Sequence, residues 1–288
     1  MVEQFENFKK HDAGSLYLVP TPIGNLEDIT LRAINILKEV DLIAAEDTRH
    51  SGELLKHFEI ETKMISLHEH NYFEQIPKLI EELKTGKSIA QISDAGMPLI
   101  SDPGQQLASA AIENDIPVVA LPGATAGMTA LLGSGLPAQP FLFYGFVSPK
   151  QQKARDELEL LANQKETLIF YEAPLRVVQT LKLMVEVFGG DRLISIGREL
   201  TKLHESYLRT TLEEALEYFE NNKPRGEFVF IVSGNIKFDI PKDDNQLISE
   251  IDQLISDGRP ATEAIKEVSQ IAKVNKNYLY DLYHAKDN

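Results

Sequence analysis

The chain has 288 residues, enough for about two domains, with 43% hydrophobic and 25% charged residues and a formal charge of −15. It contains no cysteine, which excludes disulfides, thiolate metal sites and a cysteine nucleophile. The acidity excludes a body that grips nucleic acid over its whole surface, so any such contact must be a local basic patch. No apolar run approaches the ~20 residues that span a bilayer. The opening Met1-Val2-Glu3-Gln4-Phe5-Glu6 is polar and acidic, so a cytoplasmic protein is expected.

Residues 1–13 read as a loose polar arm. From Leu16 the chain alternates strand and helix: strand Leu16–Pro20, helix Ile29–Lys38, strand Asp41–Ala45, helix Thr48–Phe58, strand Lys63–Leu67, helix Tyr72–Leu83, strand Ser88–Ile92, helix Gln105–Asn114 and strand Pro117–Leu121. Strands alternating with helices of this length predict right-handed crossovers and a parallel sheet, assigned to a first α/β domain over residues 14–122. Gly123-Ala124-Thr125-Ala126-Gly127 then opens a small-residue helix that ends near Gly133-Ser134-Gly135. Strand Phe141–Phe146, helix Lys153–Asn163, strand Thr167–Tyr171 and helix Leu175–Phe188 follow. Strands Leu193–Arg198 and Glu205–Thr210 have no full helix between them, which predicts an antiparallel hairpin. Helix Leu212–Asn221 and strand Glu227–Val232 complete a second α/β domain with a mixed sheet over residues 123–236. Polar Lys237–Asn245 reads as a linker. Residues 245–288 carry three short amphipathic helices, a helix-turn-helix-like bundle with a turn near Lys273-Val274-Asn275.

Three strand ends carry tight loops rich in glycine, proline and alanine: Val19-Pro20-Thr21-Pro22-Ile23-Gly24-Asn25, Ser93-Asp94-Ala95-Gly96-Met97-Pro98 continuing through Ser101-Asp102-Pro103-Gly104, and Leu121-Pro122-Gly123-Ala124-Thr125-Ala126. In open α/β sheets, ligands bind beyond the carboxyl ends of the strands. Small residues there let a flat polar ligand such as an adenosine approach main-chain amides and carbonyls. No G-x-G-x-x-G follows the first strand, and Gly86-Lys87-Ser88 lacks the first glycine of a phosphate loop. His68-Glu69-His70 has the wrong spacing for helical metal ligands, so no metal is expected.

These same segments resemble the bacterial ribosomal RNA small-subunit methyltransferase I family, within the tetrapyrrole-methylase-like superfamily. Ala45-Glu46-Asp47-Thr48-Arg49, Phe170-Tyr171-Glu172-Ala173-Pro174 and Arg225-Gly226-Glu227 add to the match, which covers about residues 14–235. The tail resembles the helical extension of longer members. Porphyrinoid and diphthamide relatives have Gly-Asp-Pro where this chain has Asp94-Ala95-Gly96, which favours the RNA branch. The resemblance implies two α/β domains, S-adenosylmethionine bound bent between them, and a homodimer. It also implies methyl transfer to the ribose 2′-hydroxyl of a cytidine in the decoding region of 16S ribosomal RNA, free or in the assembled 30S subunit. The cofactor-facing positions it implies are Pro22, Gly24, Asp94, Ala95, Gly96, Ser101, Thr125, Ala126 and Tyr171.

A 2′-hydroxyl is a poor nucleophile while protonated, so a base within hydrogen-bond reach is expected. Glu172, Glu46, Asp47 and Glu199 stand at or near strand ends; each also fits a structural ion pair or a helix cap, Asp47 before Thr48 in particular. Glu172 is the first of these to test. The cations expected to meet RNA near the cleft are Arg49, Lys150, Lys153, Arg155, Arg198 and Lys202, with Arg176 close by. Lys266, Lys273 and Lys276 on the tail would add affinity without chemistry. The rival readings are a methyltransferase of the same fold acting on a corrin-like or porphyrin-like substrate, and a noncatalytic RNA-binding factor.

Overall fold

The computed structural model describes residues 13–68, 70–100, 104–235, 244–272 and 274–285, so the expected polar arm lies almost wholly outside the described residues, as does most of the expected linker. The chain divides into two compact units, at Asn235 and Ile236. The first unit holds both sheets.

Its amino-terminal half runs β1 (Leu16–Val19), α1 (Leu31–Glu39), β2 (Leu42–Ala45), α2 (Thr48–His57), β3 (Met64–Ser66), α3 (Tyr72–Lys84), β4 (Ile89–Ile92), α4 (Gln105–Glu113) and β5 (Val118–Ala120). All strand pairs are parallel, in the order β3-β2-β4-β1-β5. Helices cover both faces, and all four residues of β4 are buried, the polar Gln91 among Ile89, Ala90 and Ile92. Leu16, Ala44 and Ile89 pack toward α3 and α4, while Val19, Ile43 and Ala90 pack with Ala33, Leu37 and Leu55 of α1 and α2. The chain leaves β1 toward β2 on one side and leaves β4 toward β5 on the other. β1 and β4 are neighbours, in register from Leu16↔Ile89 to Val19↔Ile92. Their level carboxyl ends form the switch point at which a crevice opens in such sheets.

The second half runs α5 (Ala126–Ser134), β6 (Phe141–Phe146), α6 (Gln151–Leu161), β7 (Thr167–Glu172), α7 (Val177–Phe188), β8 (Leu193–Arg198), β9 (Ser206–Thr211), α8 (Leu212–Asn221) and β10 (Phe228–Val232). The sheet is mixed, in the order β6-β7-β10-β8-β9, with β6 and β7 parallel and the other pairs antiparallel. β8 and β9 form the expected hairpin. α5 starts three residues later than its composition suggests, because Gly123-Ala124-Thr125 is held extended: Gly123 lies against Pro20, where a Cβ would meet the proline Cβ at 2.3 Å. Ala130 and Leu131 of α5 pack on Ile169, Val229 and Ile231. The opposite face buries Phe170 and Phe230 beneath α6, α7 and α8.

Arg192, just before β8, is buried and donates to three carbonyls: Nε to Ser233 at 2.7 Å, Nη1 to Ala162 at 2.9 Å and Nη2 to Gln164 at 3.5 Å. Its guanidinium lies 4.6 Å from the centre of the Phe188 ring, and burial pulls its pKa down to about 10. It thereby stitches the end of β10 to the α6–β7 turn. Arg192→Met should cost about 2–4 kcal/mol, because buried carbonyls lose their donors. Urea denaturation measures this; a loss below about 0.5 kcal/mol, the usual range for a surface change, would contradict the stitching role.

The second unit comprises α9 (Asp244–Ser256), α10 (Ala261–Ala272) and α11 (Lys276–Ala285). Leu247, Ile251, Ala264, Ile265, Val268 and Leu279 form its core. Tyr278 and Tyr283 donate hydrogen bonds to Asp244 (2.7 Å) and Asp252 (2.9 Å), and tie α11 to α9. Asn245, placed in the linker by its polarity, belongs to the first turn of α9. Lys273 lies outside the described residues. Among the described residues no helix is long and apolar enough to cross a membrane.

Candidate active site

The level ends of β1 and β4 bring their loops into contact. Thr21 and Gly96 form an isolated antiparallel bridge, with Thr21 N–H donating to Gly96 O at 2.9 Å and Gly96 N–H to Thr21 O at 3.1 Å. The Thr21 hydroxyl donates to Ser93 O at 3.2 Å, and the Ser93 hydroxyl donates to Gly96 O at 3.0 Å. Gly96 has φ +78°, the left-handed region that favours glycine, and a Cβ there would sit 3.1 Å from Ile23 Cγ2 and 3.4 Å from Ala124 O. Pro20 against Gly123 brings in the β5 loop. All three corner loops therefore meet at one place.

Where they meet, a cavity of about 370 Å³ is walled by Ala95, Gly96, Met97, Thr125 and Ala126 on one side and by Phe146, Tyr171, Glu172, Leu200 and Phe228 on the other. Tyr171 holds the two sides together. Its hydroxyl accepts the Gly127 N–H, one of the free amides of the first turn of α5, at 3.1 Å. Its ring packs edge-on against Phe143 and Phe146, at 5.2 and 5.6 Å between centres. On the other flank of Thr21 lies a smaller, more polar pocket of about 290 Å³, lined by Pro22, Gly24, Asp94, His50, Ser51, Glu53 and His57. The Ser51 hydroxyl is buried there with no hydrogen-bond partner.

The positions named from the sequence thus divide. Ala95, Gly96, Thr125, Ala126 and Tyr171 line the larger cavity together with Glu172; Pro22, Gly24 and Asp94 line the smaller pocket; Ser101 lies outside the described residues. Phe146 and Leu200, each at or just past a strand end, were not anticipated, although the strand-end rule that drew attention to the glycine loops applies to them as well. His50, Ser51, Glu53 and His57 carry no motif of their own and are gathered only by their place along α2.

The acidic candidates differ in their surroundings. The Glu172 side chain is almost fully buried, accepts hydrogen bonds from the Ala173 N–H at 2.8 Å and the Thr180 hydroxyl at 2.5 Å, and forms an ion pair with Arg176 Nε at 3.3 Å. It binds the end of β7 to the start of α7, a structural tie. Asp47 caps α2, accepting the Arg49 N–H at 2.9 Å and the Arg49 guanidinium at 2.9 Å, and the Arg49 side chain holds it down at about 2. Its stabilising contribution is present above the ordinary aspartate range and is lost as pH falls toward about 2. Glu199 is lowered by the Glu227 N–H, with Lys202 adding to the effect. Glu46 goes the other way. Burial, then Asp94 and Asp47, raise its pKa against a smaller opposing pull from His68. Asp94 in turn accepts the Asp47 N–H at 3.1 Å.

Of the cations named from the sequence, Arg49 pairs with Asp47, Lys153 with Glu157 (3.9 Å), Arg155 with Glu186, and Lys202 with Glu199 and Glu227 (3.2 and 2.9 Å). Lys150, at the amino-terminal cap of α6, and Arg198, whose Nε donates to Arg225 O at 2.7 Å, have no such carboxylate. Among the described residues no cluster of three or more histidine or acidic side chains is arranged to hold a metal ion.

The family profile described as tetrapyrrole (corrin/porphyrin) methylases matches residues 15–216. Ribosomal RNA small subunit methyltransferase I of Streptococcus pyogenes serotype M18 (strain MGAS8232) is 50% identical, over 97% of this chain and 98% of its own length. The chain belongs to the ribosomal RNA small subunit methyltransferase I family. The relative of that name from Bacillus subtilis (strain 168) is 46% identical over 96% of each chain. A solved structure, uroporphyrin-III C-methyl transferase from Thermus thermophilus complexed with S-adenyl homocysteine, has the same fold, with TM-score 0.55 at 20% identity over 76% of this chain and 97% of its own. The corner loops and the cavity they enclose lie beyond the strand ends, where α/β folds bind ligands.

Proposed function

We propose that this chain transfers the methyl group of S-adenosylmethionine to the ribose 2′-hydroxyl of a cytidine in the decoding region of 16S ribosomal RNA, acting as a cytoplasmic homodimer. The observation that carries the reading is the convergence of the three corner loops on one cavity. Apart from Glu172 and Glu227, its walls are mostly small or apolar side chains and main chain, which suits a nucleoside held by backbone groups. A Cβ at Gly96 would crowd Ile23 and Ala124, so the corner admits no larger residue beside the ligand. The names of the relatives support ribosomal RNA of the small subunit, and the fold neighbour with its bound product supports the methyl donor.

In this reading Ala95, Gly96, Thr125, Ala126 and Tyr171 hold the donor, which supplies a methyl group on an electrophilic sulfonium. The polar pocket beside it, with the unpartnered Ser51 hydroxyl, receives the acceptor nucleotide. The Thr21–Gly96 bridge keeps the two compartments side by side, and positioning of this kind supplies much of the rate of a two-substrate displacement. Glu46, of raised proton affinity beside Asp94, takes up the hydroxyl proton. Incubation of unmodified 30S subunits with methyl-labelled donor, followed by nuclease mapping, should place the label on the 2′-oxygen of one decoding-region cytidine. Label on a base, or none in 16S RNA, would overturn the reading.

A further inference from the structure

Four of the cations nearest the cleft are neutralised by carboxylates, as described above, so a phosphate could reach them only by displacing a paired acid. Arg198, Lys223 and Arg225 differ. Among the described residues none of the three forms an ion pair with a carboxylate, although Arg198 helps to lower the neighbouring Glu199, and all three line a groove of about 520 Å³ between the β8–β9 hairpin and the end of α8. No carboxylate lines it, in a chain of formal charge −15. Lys223 and Arg225 are exposed, and Tyr218 at the rim, its ring edge-on to Phe219 at 5.1 Å between centres, is still 49% exposed, an aromatic surface of the kind on which bases stack. The Asn221 and Asn222 amide N–H groups are spent on Glu217 O and Tyr218 O. The floor includes Phe228, which also lines the larger cavity, so one residue separates the groove from the proposed seat of the methyl donor.

We propose that this groove binds the phosphodiester backbone of the RNA strand that flanks the methylated nucleotide, with Arg198, Lys223 and Arg225 on phosphates and Tyr218 stacked on a base. The proposal rests on the RNA reading of the active site and adds the surface that feeds it. Positive charge, concavity and a half-exposed aromatic ring together fit a single-stranded polynucleotide, where isolated surface lysines would not.

The test uses the full chain, a fluorescein-labelled single-stranded RNA of decoding-region sequence, and the variant Lys223→Gln/Arg225→Gln. Affinity should fall about tenfold or more at moderate salt. Each phosphate contact on a single strand contributes roughly 0.7 to the slope of log affinity against log salt, so the slope should shrink by about 1.4. Calorimetry with S-adenosylmethionine should give an unchanged Kd, which shows that the fold is intact. The charge-matched control Lys78→Gln/Lys84→Gln, on α3, should bind RNA as the parent does. Equal affinity and slope in the groove variant, or an equal loss in the control, would overturn the groove assignment while parental RNA binding stands. If the parent chain itself binds no RNA, the active-site reading falls and the groove assignment with it.

Discussion

Single-turnover methylation by a Glu46→Gln variant should be slower by about 10²- to 10⁴-fold, the range supplied by a positioned proton acceptor. Burial and the neighbouring Asp94 and Asp47 carboxylates raise the proton affinity of Glu46 above that of an ordinary glutamate. A carboxylate so raised accepts a proton more readily once it is ionised. The parent rate should therefore climb with pH through a value higher than a free glutamate would give, and Glu46→Gln should remove that limb. Stability moves in the opposite sense: the folded state holds this proton more tightly than the unfolded chain, so the contribution is present at low pH and is lost as pH rises through the raised pKa. Glu172→Gln gives the contrast. Its two hydrogen-bond donors and the Arg176 guanidinium lose a charged partner, at a cost of about 1–3 kcal/mol in denaturant, while the single-turnover rate stays near the parent value. A fast Glu46→Gln variant, or a slow Glu172→Gln variant with an unshifted denaturation midpoint, would exchange the two roles.

Gly96→Val should weaken S-adenosylmethionine binding by about 100-fold or more, equivalent to about 2.7 kcal/mol. The backbone at φ +78° is one that β-branched residues rarely adopt, at a cost of about 1–3 kcal/mol. The added side chain also meets Ile23 and the Ala124 carbonyl and intrudes where the three loops converge. Gly135→Val separates the two effects. Gly135 caps α5 at φ +79° with open space around it, so the variant carries the backbone strain without entering the cavity. It should lose stability and keep its donor affinity. Calorimetric titration of both variants reads the difference, and an unaltered Kd for Gly96→Val would remove the corner loops from the donor site.

Much of this architecture was readable before any coordinates. The alternation of short apolar runs with amphipathic helices marks a parallel sheet, and the close succession of Leu193–Arg198 and Ser206–Thr211 marks the hairpin, because both are local consequences of spacing. The glycines and prolines of the corner loops were equally legible, since few other residues fit such backbones. Strand order was not. That β4 inserts beside β1, and so brings Gly96 onto Thr21, depends on pairings some 70 residues apart. The neutralisation of Arg155 by Glu186, and of Lys202 by Glu227, was hidden for a related reason. A lysine or arginine looks the same in a sequence whether or not a carboxylate from another element folds onto it, as Glu186 does onto Arg155 across 31 residues. Glu172 shows the same limit: its place at a strand end suggested chemistry, and only the position of Thr180 one helix face away revealed a tie.

The reciprocal Thr21–Gly96 pairing has one more implication. Both N–H groups at this wall are spent on the facing carbonyls, so what Gly96 offers a ligand is close approach of the main chain and carbonyl oxygen rather than a donor. What they furnish is a gauge of fixed width between the compartments, cut in polypeptide backbone. In the proposed reading, side chains around it can drift over evolutionary time and retune which nucleotide is admitted, while the gap across which a methyl group must jump keeps its span.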